Sequence, residues 1–256
     1  MDDLTIYVPS YQRHESKLKT LSYLDPAIAT IVVDKKEVKQ YEKRWPNVTP
    51  VTVKGISAVR AWILQNSKTR YAMMLDDDLT FFWRDKGLKL HEMTKANFRS
   101  MLKEVRKTLN HKAHVGISHR MMNQAHEKDY EDCTRMMNAY AYDTAVIKRL
   151  IQFKDIALNR VKVMEDFDLT LQLLRNGFPN RVFYKYAWNQ PGSNAPGGCS
   201  GYRTPEVQAK AAHTLKRLHP DFVTVVERDS KWGEGMAVRT DVRVSWAKAA
   251  KAGGIT

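Results

Sequence analysis

Apolar and polar positions along the 256 residues form short β-branched runs separated by stretches of helical period. Residues 4–9 (Leu-Thr-Ile-Tyr-Val-Pro), 28–34 (Ile-Ala-Thr-Ile-Val-Val-Asp) and 48–53 end in polar or turn residues, which predicts three strands. Between them, residues 16–23 and 37–45 are compatible with helix. Gly55-Ile56-Ser57 opens a further helix through Ala58, Val59, Arg60, Ala61, Trp62, Ile63 and Leu64, with Ser57 as its N-cap. A fourth run, Tyr71-Ala72-Met73-Met74-Leu75, stops on Asp76, Asp77 and Asp78 before turning apolar again at Leu79-Thr80-Phe81-Phe82. This predicts a buried strand whose end delivers acid to a cleft. Four strands separated by helices argue for an α/β fold with a mainly parallel sheet.

Further along, residues 115–118 and 138–142 read as strands, the second running into a helix from 143 or 144 to about 153. Leu171 and Leu174 follow Phe167 at helical spacing and Gly177 supplies a stop, so Glu165, Asp166 and Asp168 fall at a helix N-terminus. Acids favour that end of the helix dipole and Asp is a good cap. A cap needs only one acid, and three point to a general base among them. A helix N-terminus lowers a carboxylate pKa, so such a base needs other neighbours to be poised.

Ligands of parallel α/β sheets bind beyond the carboxyl ends of the strands. Pro9-Ser10-Tyr11, Asp34, Gly55 to Arg60 and Asp76 to Asp78 all fall there. Each has a plain structural alternative: a turn at Pro9 and Ser10, a helix cap at Asp34, a surface ion pair for Arg60, an acidic turn at the triplet. Together they offer what a nucleotide needs, with Tyr11 for a base, Asp34 for a base or ribose edge and Arg60 for a diphosphate. Three adjacent aspartates beside a core repel one another unless a cation offsets them. Magnesium or manganese, which takes oxygen ligands and leaves positions for a substrate diphosphate, is the expected partner. No GxGxxG follows the first strand and no GxxxxGK[ST] occurs, which disfavours dinucleotide and P-loop readings.

Charge changes the picture next. Forty-two Lys and Arg against 28 acids give +14 and a pI near 9.7, which suggests a polyanionic partner. The excess is concentrated between residues 95 and 120, where Lys95, Arg99, Lys103 and Arg106 share one helical face and Phe98, Met101, Leu102, Val105 and Leu109 another. An outward basic stripe on that helix is a candidate contact for a nucleic-acid backbone. Two cysteines indicate neither a disulfide framework nor a cysteine zinc site. No segment approaches the roughly 20 apolar residues of a membrane span and the N-terminus lacks a signal-peptide pattern, so a cytoplasmic protein without membrane attachment is expected. The turn-rich residues 189–201 read as a mobile loop that closes over a diphosphate, or as a linker. Thr204-Pro205-Glu206 starts a helix ended by Pro220, and residues 241–246, with Arg239 and Arg243, form a final strand or a phosphate-contacting segment. His213 and His219 are single histidines of the kind that more often serve structure than a metal.

In order along the chain, these elements resemble a GT-A glycosyltransferase over about residues 4 to 190: Pro9-Ser10-Tyr11-Gln12-Arg13 after the first strand, Asp34, Gly55 to Arg60, Asp76-Asp77-Asp78, and Glu165-Asp166 before a helix. The resemblance implies a Rossmann-type mixed, mainly parallel sheet. It divides the chain into a core at 1–190, with a nucleotide-sugar half at about 1–82 and an acceptor half at about 83–190, followed by a loop and extension at 191–256. It implies a nucleoside-diphosphate sugar, expected to be a UDP-sugar, held by Pro9, Ser10, Tyr11, Arg13, Asp34, Gly55, Arg60, Asp76 and Asp77. Asp76 and Asp78 would take the metal, and Asp166, beside Glu165, would deprotonate the acceptor for an inverting displacement. Gln12 stands where the family usually has asparagine.

The compact basic chain with its C-terminal extension is similar, more narrowly, to phage-encoded TET-associated glycosyltransferases and more distantly to the base J glucosyltransferase. That similarity implies DNA carrying 5-hydroxymethylcytosine or another hydroxymethylated pyrimidine as acceptor, in a bacterial host cytoplasm. Trp83, Tyr140, Tyr142, Trp188 and Tyr202 are then available to stack on a flipped nucleotide. Two other classes stay open on the sequence: a GT-A enzyme acting on a polysaccharide, lipid or protein, and a basic nucleic-acid-binding protein whose aspartates are structural.

Overall fold

A computed structural model describes residues 2–85, 87–123, 127–190, 198–229 and 238–255. Strands β1 (Leu4–Pro9), β2 (Ala29–Asp34), β3 (Val48–Val51) and β4 (Tyr71–Leu75) are linked by a 3-10 turn at Lys19–Tyr23, by helix α1 (Val38–Glu42) and by α2 (Ile56–Asn66). They lie side by side as β3-β2-β1-β4, all parallel. Every residue of β4 is buried, as expected for a strand covered on both faces.

The chain continues through β5 (Thr80–Arg84), β6 (Leu90–Glu92), α3 (Lys95–Thr108), β7 (His114–His119), α4 (Arg120–Asn123), β8 (Tyr130–Asp132), β9 (Ala139–Asp143), α5 (Thr144–Gln152), α6 (Glu165–Arg175) and β10 (Asn180–Asn189). These strands extend the same sheet in the order β4-β9-β7-β10-β5-β6, with β8 paired to β10. Here directions are mixed, because β9 runs antiparallel to β4 and β7 while β10 is parallel to β7. The two expected halves therefore share one continuous sheet. Alternate residues of β1 show the two layers: Leu4, Ile6 and Val8 pack towards α3, whereas Tyr7 joins α2, α5 and α6.

The last segment comprises α7 (Pro205–Leu218), the antiparallel hairpin β11 (Val223–Asp229) and β12 (Val238–Val244), and α8 (Trp246–Ala252). Thr204 caps α7 and Pro205 occupies its first turn, as the Thr-Pro-Glu signal predicts. A third apolar cluster joins α6 to α7, the hairpin and α8, with Trp246 edge-on to Phe167 at 5.6 Å. The extension is thus packed on the helix that carries Glu165 and Asp166. Contact is closest at Gly253, where a Cβ would stand 2.0 Å from the Leu174 carbonyl oxygen.

Local expectations shift in three places. Residues 16–23 form only the short 3-10 turn. Helix α2 begins two residues earlier than expected, capped by Gly55 at φ +86°, so Ser57 lies in its first turn and not at the cap. Strand β10 had no sequence expectation, although Arg181-Val182-Phe183-Tyr184 carries a strand-forming composition.

Candidate active site

The carboxyl ends of β1, β2, β3 and β4 open into a cleft of about 710 Å³. Pro9, Ser10, Tyr11, Arg13, Asp34, Gly55, Arg60, Asp76, Asp77, Asp78, Glu165 and Asp166 all line it. The fold therefore gathers every expected donor, metal and base residue in one place. Parallel strands explain this, since each loop leaving a carboxyl end emerges on the same edge of the sheet.

On the β1 side, Tyr11 is exposed at the lip of the cleft. Gln12 takes φ +54°, a conformation more readily adopted by asparagine, and its amide N–H donates to Glu37. Asp34 is half-buried and accepts from the Lys36 N–H at 2.9 Å, so it caps the following 3-10 turn while still reaching the cleft. Gly55 has ψ 151° with its positive φ, which is a region open essentially to glycine alone. Behind it the Tyr202 hydroxyl accepts from the Ile56 N–H at 2.9 Å, fixing the start of α2 from the C-terminal segment.

Each member of the acid triplet has its own cationic or polar partners. Asp76 accepts from Arg60 at 2.5 Å and from the Asn138 side chain at 2.8 Å. Asp77 is buried, accepts from Ser10 at 2.5 Å and from Arg13 at 2.5 Å, and burial pushes its carboxyl up to about 6. Asp78 accepts from Arg13 at 2.9 Å. Arg13 and Arg60 thus supply much of the positive charge that the sequence argument assigned to a metal. Arg60 does more, because its other terminal nitrogen donates to Glu165. Its two terminal nitrogens are held by carboxylates, so it acts as a bridge between the triplet and the α6 acids, whereas the sequence reading aimed it at a diphosphate.

Met164 adopts φ +68° immediately before α6 and turns the chain so that Glu165 and Asp166 face the cleft. Burial and the neighbouring Glu165 charge push the Asp166 carboxyl up to about 6, against the pull of Arg60 and Arg135. Burial also raises Asp76. The expected weakening of the base by the helix terminus is therefore outweighed by desolvation and a like charge. Asp168 belongs elsewhere: it is buried and bound to Arg160 and to His219 at 2.8 Å, an attachment between α6 and the end of α7.

Several other expected residues lie away from the cleft. Lys95, Arg99 and Lys103 form an exposed stripe on α3 that does not line it. Arg106 departs from that stripe, since it is half-buried, donates to Asp3 at 2.7 Å and stacks over Tyr71. Tyr140 and Tyr142 are buried core residues and Trp83 does not line the cleft, whereas Trp188 and Tyr202 do line it, Trp188 as a fully buried residue and Tyr202 half-buried with its hydroxyl on the start of α2. His213 is exposed on α7 and His219 is tied to Asp168, so neither reaches the aspartates. Residues 191–197 of the expected closing loop lie outside the described residues. Gln190, in the expected closing loop, and Arg239 and Asp241, of the expected phosphate-contacting segment, also line the cleft, and His119, Arg135, Asn138 and Lys162 do so without any sequence expectation. Their only common signal is position in irregular segments or at the ends of weak strands.

No helix among the described residues is long and apolar enough to cross a membrane. The chain is 23% identical over 231 residues to the beta-glucosyl-HMC-alpha-glucosyl-transferase of Enterobacteria phage T2, covering 84% of this chain and 80% of the relative. The Enterobacteria phage T6 protein of the same name matches at 23% over 230 residues with the same shares. Among solved structures, S. aureus TarS 1-349 in complex with UDP-GlcNAc aligns with a TM-score of 0.50 at 14% identity, covering 84% of this chain and 66% of that one, a likeness of fold. The chain spans just under two thirds of that TarS fragment. Residues 4–198, which hold every donor, metal and base residue expected from the sequence, match the model of the TET-Associated Glycosyltransferases, and the chain belongs to that family.

Proposed function

We propose that this glycosyltransferase moves a hexose from a UDP-sugar to the hydroxymethyl group of 5-hydroxymethylcytosine in phage DNA, with direct displacement and inversion at the anomeric carbon. The Arg60 bridge carries this reading: a single guanidinium spans Asp76 of the acid triplet and Glu165 beside Asp166. A donor diphosphate at the triplet therefore has a raised, half-buried carboxylate within one sugar's reach. Tyr11 and Asp34, which line the cleft, would hold the nucleoside, and Gly55 would let the backbone approach the phosphates without a side chain between them.

The metal is part of the proposal. Among the described residues no three His, Cys, Asp or Glu side chains gather into a cage. The cleft fits an ion held jointly by Asp76, Asp78, water and substrate oxygens, the habit of magnesium and manganese. Bound there, it supplies charge for the departing diphosphate. Asp166 accepts the proton of the acceptor hydroxyl as its oxygen attacks the anomeric carbon, and the bond from that carbon to the β-phosphate oxygen breaks. Arg60 holds Glu165 in place beside the base. A basic protein suits a DNA acceptor, and the names of the phage relatives point to the same base.

Those names favour a second reading, in which the acceptor is already glucosylated hydroxymethylcytosine and the product linkage is α. From an α-linked nucleotide donor an α product means retention, which a simple base at Asp166 does not explain. Nucleoside mass spectrometry after incubation with manganese and sugar nucleotides, UDP-glucose first, tests both. Acceptors are hydroxymethylcytosine DNA, β-glucosylated hydroxymethylcytosine DNA and unmodified DNA. A hexose gain on the first alone supports the proposal, a gain only on the second moves it to the second reading, and no gain on either sinks the DNA acceptor. The anomeric proton coupling of the product decides inversion against retention.

A further inference from the structure

Around Asp166 the cleft carries more positive charge than the reaction just described uses. Arg135, Lys162, Arg203 and Arg239 line it together with Asp241. Arg239 donates to Asp241 at 3.0 Å, a partner within its own strand. Arg135 is different. It leaves the irregular segment between β8 and β9, and its guanidinium lies 4.4 Å from the Phe167 ring centroid, on the residue next to Asp166. Among the described residues no hydrogen bond or ion pair holds it, and its Nε is buried without a partner. Leaving a buried guanidinium nitrogen unpaired is costly, whereas one stacked on a ring keeps its plane fixed and its edge available to an oxyanion.

We propose that Arg135, assisted by Lys162 and Arg239, forms a phosphate subsite that takes a phosphodiester of the acceptor strand next to the nucleotide presented to Asp166. This rests on the nucleic-acid acceptor of the preceding reading. The donor diphosphate is the other phosphate in reach. It belongs at Asp76 to Asp78, however, whereas Arg135 lies against the face of Phe167, the residue next to Asp166. Burial lowers the Arg135 pKa from its ordinary value, as do the neighbouring charges of Arg228 and Arg239, while the Asp166 and Asp241 carboxylates oppose them. The α3 stripe lies away from the cleft, so the subsite accounts for register at the target nucleotide where the stripe accounts only for general attraction.

Binding of a labelled single-stranded oligonucleotide carrying one hydroxymethylcytosine, measured by fluorescence anisotropy without donor, tests the subsite independently of turnover. Arg135→Gln is expected to weaken binding about tenfold and to lower the slope of log K against log salt by about 0.7. Replacing the two linkages that flank the modified base by uncharged methylphosphonates should reproduce that loss in the wild type and abolish the difference between wild type and Arg135→Gln. Arg135→Lys should recover part of the affinity, and UDP binding should not change. Lys162→Ala, at an exposed position, gives the same comparison should the Arg135 variants fold poorly. An Arg135→Gln effect of equal size on both backbone chemistries, a loss of UDP affinity instead, or a wild type that does not bind the oligonucleotide overturns the subsite. Failure of the function reading appears separately, as absence of hexose transfer by a protein that still distinguishes the two backbones.

Discussion

Transfer is expected to depend on Asp166 being charged, and its surroundings set the pH at which that happens. Burial and Glu165 push its carboxyl up to about 6, while Arg60 and Arg135 oppose them. The rate should therefore rise about tenfold per pH unit below 6 and level off above it. Arg60→Gln removes one of the two cations, and an opposite charge at such range is worth roughly one to three pKa units. A shift of about one unit lowers turnover about fivefold at pH 6 and very little at pH 8. A merely structural Arg60 would lower the rate at every pH alike. Asp166→Asn should remove turnover throughout and spare donor binding. Stability moves the other way. The folded-state pKa is raised above 3.8, so the stabilisation from the neutral carboxyl is fully present below 3.8 and is lost as pH rises through about 6. At pH 7.5 that ionisation costs at most about 3 kcal/mol, reduced by the solvent that reaches the half-buried side chain. Asp166→Asn should then stabilise the fold by about 1 kcal/mol at pH 7.5 and by nothing at pH 3.5. Single-turnover transfer to an oligonucleotide from pH 4.5 to 8.5, with urea unfolding of each variant, reads both effects. A flat rate between pH 5 and 7, or a limb unmoved by Arg60→Gln, refutes the base assignment.

Three other substitutions test parts of the site and the scaffold. Asp78→Ala should abolish the manganese dependence of UDP binding measured by calorimetry while the melting temperature changes little, because Asp78 is held only through Arg13 among the described residues; unchanged metal-dependent affinity contradicts the metal assignment. Gly55→Ala places a Cβ in open contact, 3.9 Å from the Tyr202 hydroxyl, so its cost is the strained backbone, about 1–3 kcal/mol. Donor affinity should fall with it, and an unaltered unfolding midpoint speaks against the strain. Gly253→Ala drives a methyl into the Leu174 carbonyl and should detach α8 from α6, visible as early hydrogen exchange in residues 246–252; native-like protection there would show that the contact can relax.

The parallel half of the fold was legible because each of its strands is a continuous apolar run ending in residues that suit a turn. Tyr71 to Leu75 followed by Asp76-Asp77-Asp78 is the clearest case, and the helix carrying Glu165 and Asp166 was equally plain from its period and its Gly177 stop. These are local properties: burial on both faces demands unbroken apolar strands, and side-chain period reports helix. Since parallel strands deliver their carboxyl ends to one edge, the sequence alone also placed Pro9 to Arg13, Asp34, Gly55 to Arg60 and the triplet together. Partners were not legible, because they depend on approach between residues far apart in the chain. That Arg60 joins Asp76 to Glu165, that Asp77 takes Ser10 and Arg13 and is buried, and that Arg106 is drawn out of the basic stripe by Asp3 were decided by packing. The same holds for the Asp166 carboxyl, whose elevation comes from desolvation and a like charge that no local pattern encodes. Arg135 and Tyr202 reach the cleft only because β8, β9 and the C-terminal segment fold against α6 and α2. The sequence therefore fixes which chemistry is present and on which edge of the sheet, and the tertiary structure decides which charges are paired, which are buried and which remain for substrate.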